Sequence, residues 1–163
     1  MKFMRNQLIP TILVALLSTF SFASAQAAES TDKFSLGYHF TTQTSGLSGQ
    51  MEFSDKVTAQ AIIGFVGDVS NYSLRGRYHL ATDKKWDAYA FASIGLFTWE
   101  ESGFAGENEL SIGGGVGMEY DWQNLDAGFP PITWSFEIEM NSAEFDNYDF
   151  SKFSLGIAAH YRF

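Results

Sequence analysis

The chain has 163 residues, no cysteine, and nineteen acidic against ten basic side chains, for a net charge of −9. Without cysteine there is neither a disulfide framework nor thiol chemistry. The acidic balance makes nucleic acid a poor partner, and the length suits one domain.

The first stretch is built for targeting. Lys2 and Arg5 make a short positive region, Leu8 to Phe22 supply an apolar core, and Ala23-Ser24-Ala25 and Ala25-Gln26-Ala27 both offer the small-x-small pattern of a signal-peptidase site. Residues 1–27 are therefore expected to be a cleaved signal peptide, cut after Ala25 or Ala27. The apolar run is shorter than the 18 or so residues of a spanning helix. Cleavage removes two basic residues and no acidic one, leaving eight against nineteen and a net charge of −11. Residues 28–163 then form the mature domain.

From there the chain alternates apolar and polar residues almost throughout, the mark of β-strands, whose successive side chains point to opposite faces. Phe34, Leu36, Tyr38 and Phe40 oppose Ser35, Gly37, His39 and Thr41. Leu47, Gly49, Met51 and Phe53 oppose Ser48, Gln50 and Glu52. Val57, Ala59, Ala61, Ile63 and Phe65 oppose Thr58, Gln60 and Gly64, with Ile62 the exception. Tyr72, Leu74, Gly76, Tyr78 and Leu80 oppose Ser73, Arg75, Arg77 and His79. The fifth segment, Trp86 to Trp99, is apolar on both faces; the aromatic set, Tyr89, Phe91 and Phe97, is expected outward and the set from Ala88 to Leu96 inward. Leu110, Ile112, Val116, Met118 and Tyr120 oppose Ser111, three glycines and Glu119. Ile132, Trp134, Phe136, Ile138 and Met140 oppose Thr133, Ser135, Glu137 and Glu139. Phe153, Leu155, Ile157, Ala159, Tyr161 and Phe163 oppose Ser154, Gly156, Ala158, His160 and Arg162.

Eight strands of nine or more residues are expected, long enough to cross a hydrocarbon layer at a tilt, whereas soluble strands average five or six. Alternation does not say which face is outside, and a soluble lipocalin-like barrel is the rival. Three features favour an eight-stranded antiparallel up-and-down transmembrane β-barrel. The polar face is rich in Gly and Ser with charges of both signs, Tyr72, Tyr120, Trp122, Trp134 and Tyr161 recur near strand ends as interfacial girdles require, and the chain closes on an aromatic residue.

The ending His160-Tyr161-Arg162-Phe163 resembles the last strand of the OmpX/Ail group of small outer-membrane proteins, which close on Tyr-Arg-Phe. Length, strand count and patterning fit the OmpA transmembrane domain nearly as well. The resemblance implies an outer-membrane location and an assembly signal, read by the barrel-assembly machinery, at Tyr161 and Phe163. Adhesive members of the group carry long outer strands and loops. The outer connections here, near Gln43–Ser45, Gly67–Ser70, Glu100–Glu107 and Asn141–Asp149, are expected to be short, which weakens an adhesin reading.

Eight strands enclose a space just wide enough for side chains, so a wide pore is not expected. The inward charges, Glu52, Arg75, Arg77, Glu119, Glu137, Glu139, His160 and Arg162, are expected to form a structural ion-pair network, because buried charges must be paired. Partner switching in it would make a narrow gated channel. No catalytic residues and no cofactor are expected. The histidines are followed two residues on by Thr41, Ala81 and Arg162, not by the serine of outer-membrane lipid A deacylases, and inward charges do not suit an acyl-measuring lumen. No metal site is expected from the three histidines. Glu144, Asp146 and Asp149, with Glu100 and Glu101, could take a divalent cation and bridge to lipopolysaccharide, although no calcium-loop motif is present. The Gly113–Gly117 run lacks the P-loop lysine and reads as backbone crowding in the lumen. The expected function is a structural or interaction role of a monomeric barrel in contact with outer-membrane lipid and lipopolysaccharide. The alternatives are a narrow channel, a lipid-modifying enzyme and the soluble ligand-binding barrel.

Overall fold

A computed structural model of the chain describes residues 33–66, 69–82, 86–99 and 106–163. The signal segment 1–27, Asp68, Glu100 and Glu101 lie outside the described residues.

Eight strands pair consecutively and antiparallel: β1 Phe34–Thr41, β2 Ser45–Ser54, β3 Val57–Val66, β4 Val69–Thr82, β5 Trp86–Trp99, β6 Glu107–Asp121, β7 Ile132–Asn141 and β8 Phe153–Arg162. The ladder closes where β1 pairs with β8, from Ser35 opposite Arg162 to Thr41 opposite Gly156. Closure removes both sheet edges, which no lipid could hydrogen-bond. β1 has eight residues, one short of the expected minimum. Its pairing nevertheless runs past both ends, since Lys33 O accepts from Glu52 N at 2.9 Å and Thr42 N donates to Leu155 O at 3.0 Å.

The faces are inverted relative to a soluble protein. Leu36, Phe40, Leu47, Phe65, Leu110 (68% exposed), Ile112, Met140 and Leu155 are on the outside, while Ser35, His39, Gln60, Arg75, Arg77, Glu137 and His160 are buried inside. The inward exception expected at Ile62 is present, with Ile62 buried.

β5 faces the other way from the sequence-based expectation. Tyr89, Phe91 and Phe97 are buried in the lumen, and Ala92 and Ile94 face outward. The reason lies on the neighbouring strand, where Tyr89, Phe91 and Ser93 sit opposite Gly117, Gly115 and Gly113 of β6. A Cβ on Gly117 would come within 2.4 Å of the Tyr89 ring, and one on Gly115 within 2.7 Å of the Phe91 ring. The glycines of β6 leave the volume that the aromatics of β5 fill.

The strands differ in length in a patterned way. β4, β5 and β6 have 14, 14 and 15 residues, whereas the others have 8 to 10. β7 begins to pair with β6 only at Gly113, so residues 107–112 rise beyond the end of β7 on the outer side. The connection at 42–44 is short as expected. Between β7 and β8, by contrast, residues 142–152 make a longer loop that turns inward. On the other rim, β6 leads into a single 3-10 turn, Trp122–Asn124, capped by the Asp121 side chain accepting from Gln123 N.

Candidate functional site in the barrel lumen

The densest chemistry lies at mid-height, around Glu137 of β7. Its neighbours in register are Gly117 on β6 and Gly156 on β8. With no side chain on either flank, the carboxylate is reached from across the lumen. Arg75 Nη1 donates to Glu137 Oε2 at 2.7 Å, His39 Nε2 lies 2.9 Å from the same oxygen, and the Tyr89 hydroxyl donates to Oε1 at 2.7 Å. The second arm of Arg75, Nη2, donates to Glu139 Oε2 at 2.5 Å, so one guanidinium bridges two carboxylates of the same strand face. A level lower, Arg77 Nη2 donates to Glu119 Oε2 at 2.7 Å.

The aromatics of β5 complete the packing. The Arg77 guanidinium lies 3.8 Å from the Tyr89 ring centroid and that of Arg75 lies 4.6 Å from Phe91. At positions this buried, such stacking contributes on the order of 1–2 kcal/mol each. The side chains of His39, Glu137, Arg75 and Arg77 are 1–3% exposed, so no substrate touches them.

The other expected members of the network are placed differently. His160 makes no ion pair among the described residues. Its ring lies 3.0 Å from Ser48 Oγ and within 3.3 Å of Gln50 Nε2, in a neutral patch that Gln60 and Ser35 extend. Arg162 pairs with Asp121 at 2.5 Å, at the mouth of the barrel where β6 and β8 end. Glu52 is exposed at that mouth, where the β2–β3 register shifts, and no ion pair joins it among the described residues. Sequence reasoning did not bring His39, Tyr89, Phe91 or Asp121 to these sites. The readable signal was the cross-strand match of β5 aromatics to β6 glycines.

One more arrangement invites a catalytic reading. His79 Nδ1 lies 2.6 Å from Asp87 Oδ2 and its Nε2 lies 3.1 Å from Thr58 Oγ1, the order of acid, base and hydroxyl found in nucleophilic sites. Thr58 is 2% exposed, so the hydroxyl is closed to a substrate and the chain reads as buried polar pairing. His39-x-Thr41 is no outer-face pair either: His39 is held by Glu137, and the Thr41 hydroxyl donates to Thr44 O at 2.9 Å. Among the described residues, no three His, Asp or Glu side chains converge as a metal site, and Glu144, Asp146 and Asp149 face outward separately.

An apolar outside and a charged, closed interior reverse the pattern of a lipocalin-like barrel, because a soluble chain could not leave so many large apolar side chains in water. The chain is a transmembrane β-barrel of the outer-membrane type. An aromatic girdle is in place on the rim that carries the 3-10 turn: Trp122 packs against Phe129 and Trp134, and Trp86 against Tyr120. At the end of the barrel strand β8, Phe163 N donates to Phe34 O at 2.9 Å, with the Phe163 ring between those of Tyr161 and Phe34. No family model and no curated protein matches the chain. Among solved structures it is similar to Ail, the attachment invasion locus protein of Yersinia pestis, at 15% identity and a TM-score of 0.46, over 80% of this chain and 96% of that one. The Tyr161-Arg162-Phe163 ending resembles the same group.

Proposed function

We propose that this barrel resides in the outer membrane as a structural and interaction element of the envelope, exported by its signal segment and assembled through Tyr161 and Phe163. The observation that carries the reading is the inverted burial: lipid suits the outside, and the inside is lined by buried polar side chains and paired charges. Its working surfaces are then the rims. The outer rim carries Glu107, Glu109, Glu144, Asp146 and Asp149 against the single cation Lys152 among the described loop residues, and the fit is to lipopolysaccharide headgroups, whose divalent counter-ions can bridge acidic groups.

The channel reading is disfavoured by the same filling, because Arg75 is engaged by two carboxylates and stacked on Phe91. The test is fractionation followed by gel mobility. The protein is expected in carbonate-resistant outer membranes and to migrate differently before and after boiling. A soluble, unshifted protein would overturn the reading, and conductance steps in planar bilayers would replace it with a channel.

A further inference from the structure

The polar network stops short of the outer mouth, and a different chemistry begins there. The uppermost inward side chains of β4 and β5 are Val69, Phe97 and Trp99, all buried. They are covered by the loop 142–152, whose Ala143, Phe145 and Phe150 are buried against them in one cluster. Phe150 meets Phe97 edge-on at 5.5 Å and Phe145 at 5.4 Å, and Tyr148 stacks on Trp99 at 5.6 Å. Between these anchors Glu144, Asp146 and Asp149 are exposed. The loop therefore has an apolar underside that covers Val69, Phe97 and Trp99 and an acidic upper side.

Its attachments are graded. At the root, Ser142 N donates to Ile112 O at 2.9 Å and Asn141 N to Lys152 O at 2.9 Å, which ties both ends of the loop to the barrel wall. At the tip, beside the Tyr148–Trp99 stack, the polar hold is a carboxylate: Glu107 Oε2 accepts from Asp146 N at 2.8 Å, and Oε1 accepts from the Asn147 amide. Those tip bonds are exposed, so water competes for them and each is weak. The mid-lumen cluster below is buried and multiply bonded. Two layers thus lie in series, a buried polar one around Arg75 and an apolar one above it.

We propose that the loop 142–152 is a lid on the outer end of the lumen, seated by Phe145 and Phe150 on Phe97 and Trp99, latched by Glu107 and hinged at Asn141 and Lys152. Lifting it opens the upper lumen down to Asn71 and Ser73 to outer water while the Arg75 bar stays closed. This holds whichever envelope partner the barrel serves.

The absence of native cysteine makes the test clean. Ser73→Cys places one thiol beneath the lid, and Ser135→Cys places one below Glu137 as a reference; both serines are buried and inward. Each is introduced into the full-length chain, and isolated outer membranes are treated with a charged maleimide, with the gel-mobility shift as the check of fold. Glu107→Ala, which leaves the aromatic seat intact, is expected to speed modification at position 73 about tenfold, the effect of weakening a closed state by one decade of population. Phe145→Ser with Phe150→Ser is expected to speed it further, with position 135 protected throughout. Equal rates at position 73 in all backgrounds, or a parallel rise at position 135, would overturn the lid.

Discussion

Glu137 is the residue on which the lumen converges, and its surroundings show how a charge is tolerated inside. Three donors from three other strands satisfy its two oxygens, and glycines on both flanking strands leave them room. Removing one partner of such a group strands the others. Glu137→Ala is expected to cost about 3–5 kcal/mol, the usual penalty for leaving a buried charge uncompensated, read as a lower urea midpoint of refolded barrel in micelles. Arg75→Met combined with Glu137→Leu should cost less than the two single changes together, because the direct Arg75–Glu137 pair is removed whole, leaving Glu139, His39 and Tyr89 as the groups that lose a partner. The glycines make a second test on the same assay. Gly117→Ala drives a methyl into the buried Tyr89 ring and is expected to cost about 1–3 kcal/mol. Gly76→Ala, on the lipid side with nothing within 4 Å, should change the midpoint little. Equal effects at the two positions would mean that the ring is free to yield.

At the scale of elements, β5 marks where sequence reading succeeds and where it fails. Seven strands have one apolar and one polar face, so period-two alternation alone sets their orientation. β5 has aromatics on one face and Ala, Ile and Leu on the other, and either face suits lipid when read in isolation. What decides is the partner strand: lumen space left by Gly115 and Gly117 has to be filled, and the Phe91 and Tyr89 rings of β5 fill it. The lid was hidden for a related reason. Ala143 and Phe145 alternate with Glu144 and Asp146 as a strand's residues would, yet the acids dominate a reading by charge, and the aromatic partners Phe97 and Trp99 come from β5, whose own sequence leaves its facing open. The mid-lumen ion pairs were legible because Arg75, Glu137 and Glu139 share inward parity and depth. Glu52 and Arg162 have inward parity too but sit at the mouth, where a nearer partner or water takes them. The facing of β5 is open to direct test. Ala92→Arg places a charge against hydrocarbon and is expected to cost about 2–4 kcal/mol near the midplane, whereas an inward Ala92 would face the carboxylates and lose far less.

For the whole molecule, the governing constraint is the match between the shortest wall and the thickness of the membrane. β1 has eight residues, and the flanking bonds at Lys33 and Thr42 extend its ladder to ten. Ten residues at the usual strand rise and barrel tilt cover about 25 Å along the membrane normal, which is the height of the apolar band in such barrels. Lys33, Asp55 and Lys56 mark its periplasmic edge. The longer β4–β6 cannot thicken the band, because their outer extension serves as the wall on which the lid rests, and a closed barrel can sit no deeper than its shortest strands allow. Burying the ends of β1 in a thicker bilayer would draw charged and unpaired polar groups into hydrocarbon, at fractions of a kcal/mol per Å of mismatch. Unfolded chain mixed with phosphatidylcholine vesicles should therefore fold most completely where the acyl chains are short and the core is about 25 Å thick, and progressively less well above about 30 Å. The folded fraction is read as the fast-migrating band on unboiled gels. Yields that rise with thickness would mean that the β4–β6 wall, and not β1, sets the depth at which the barrel sits.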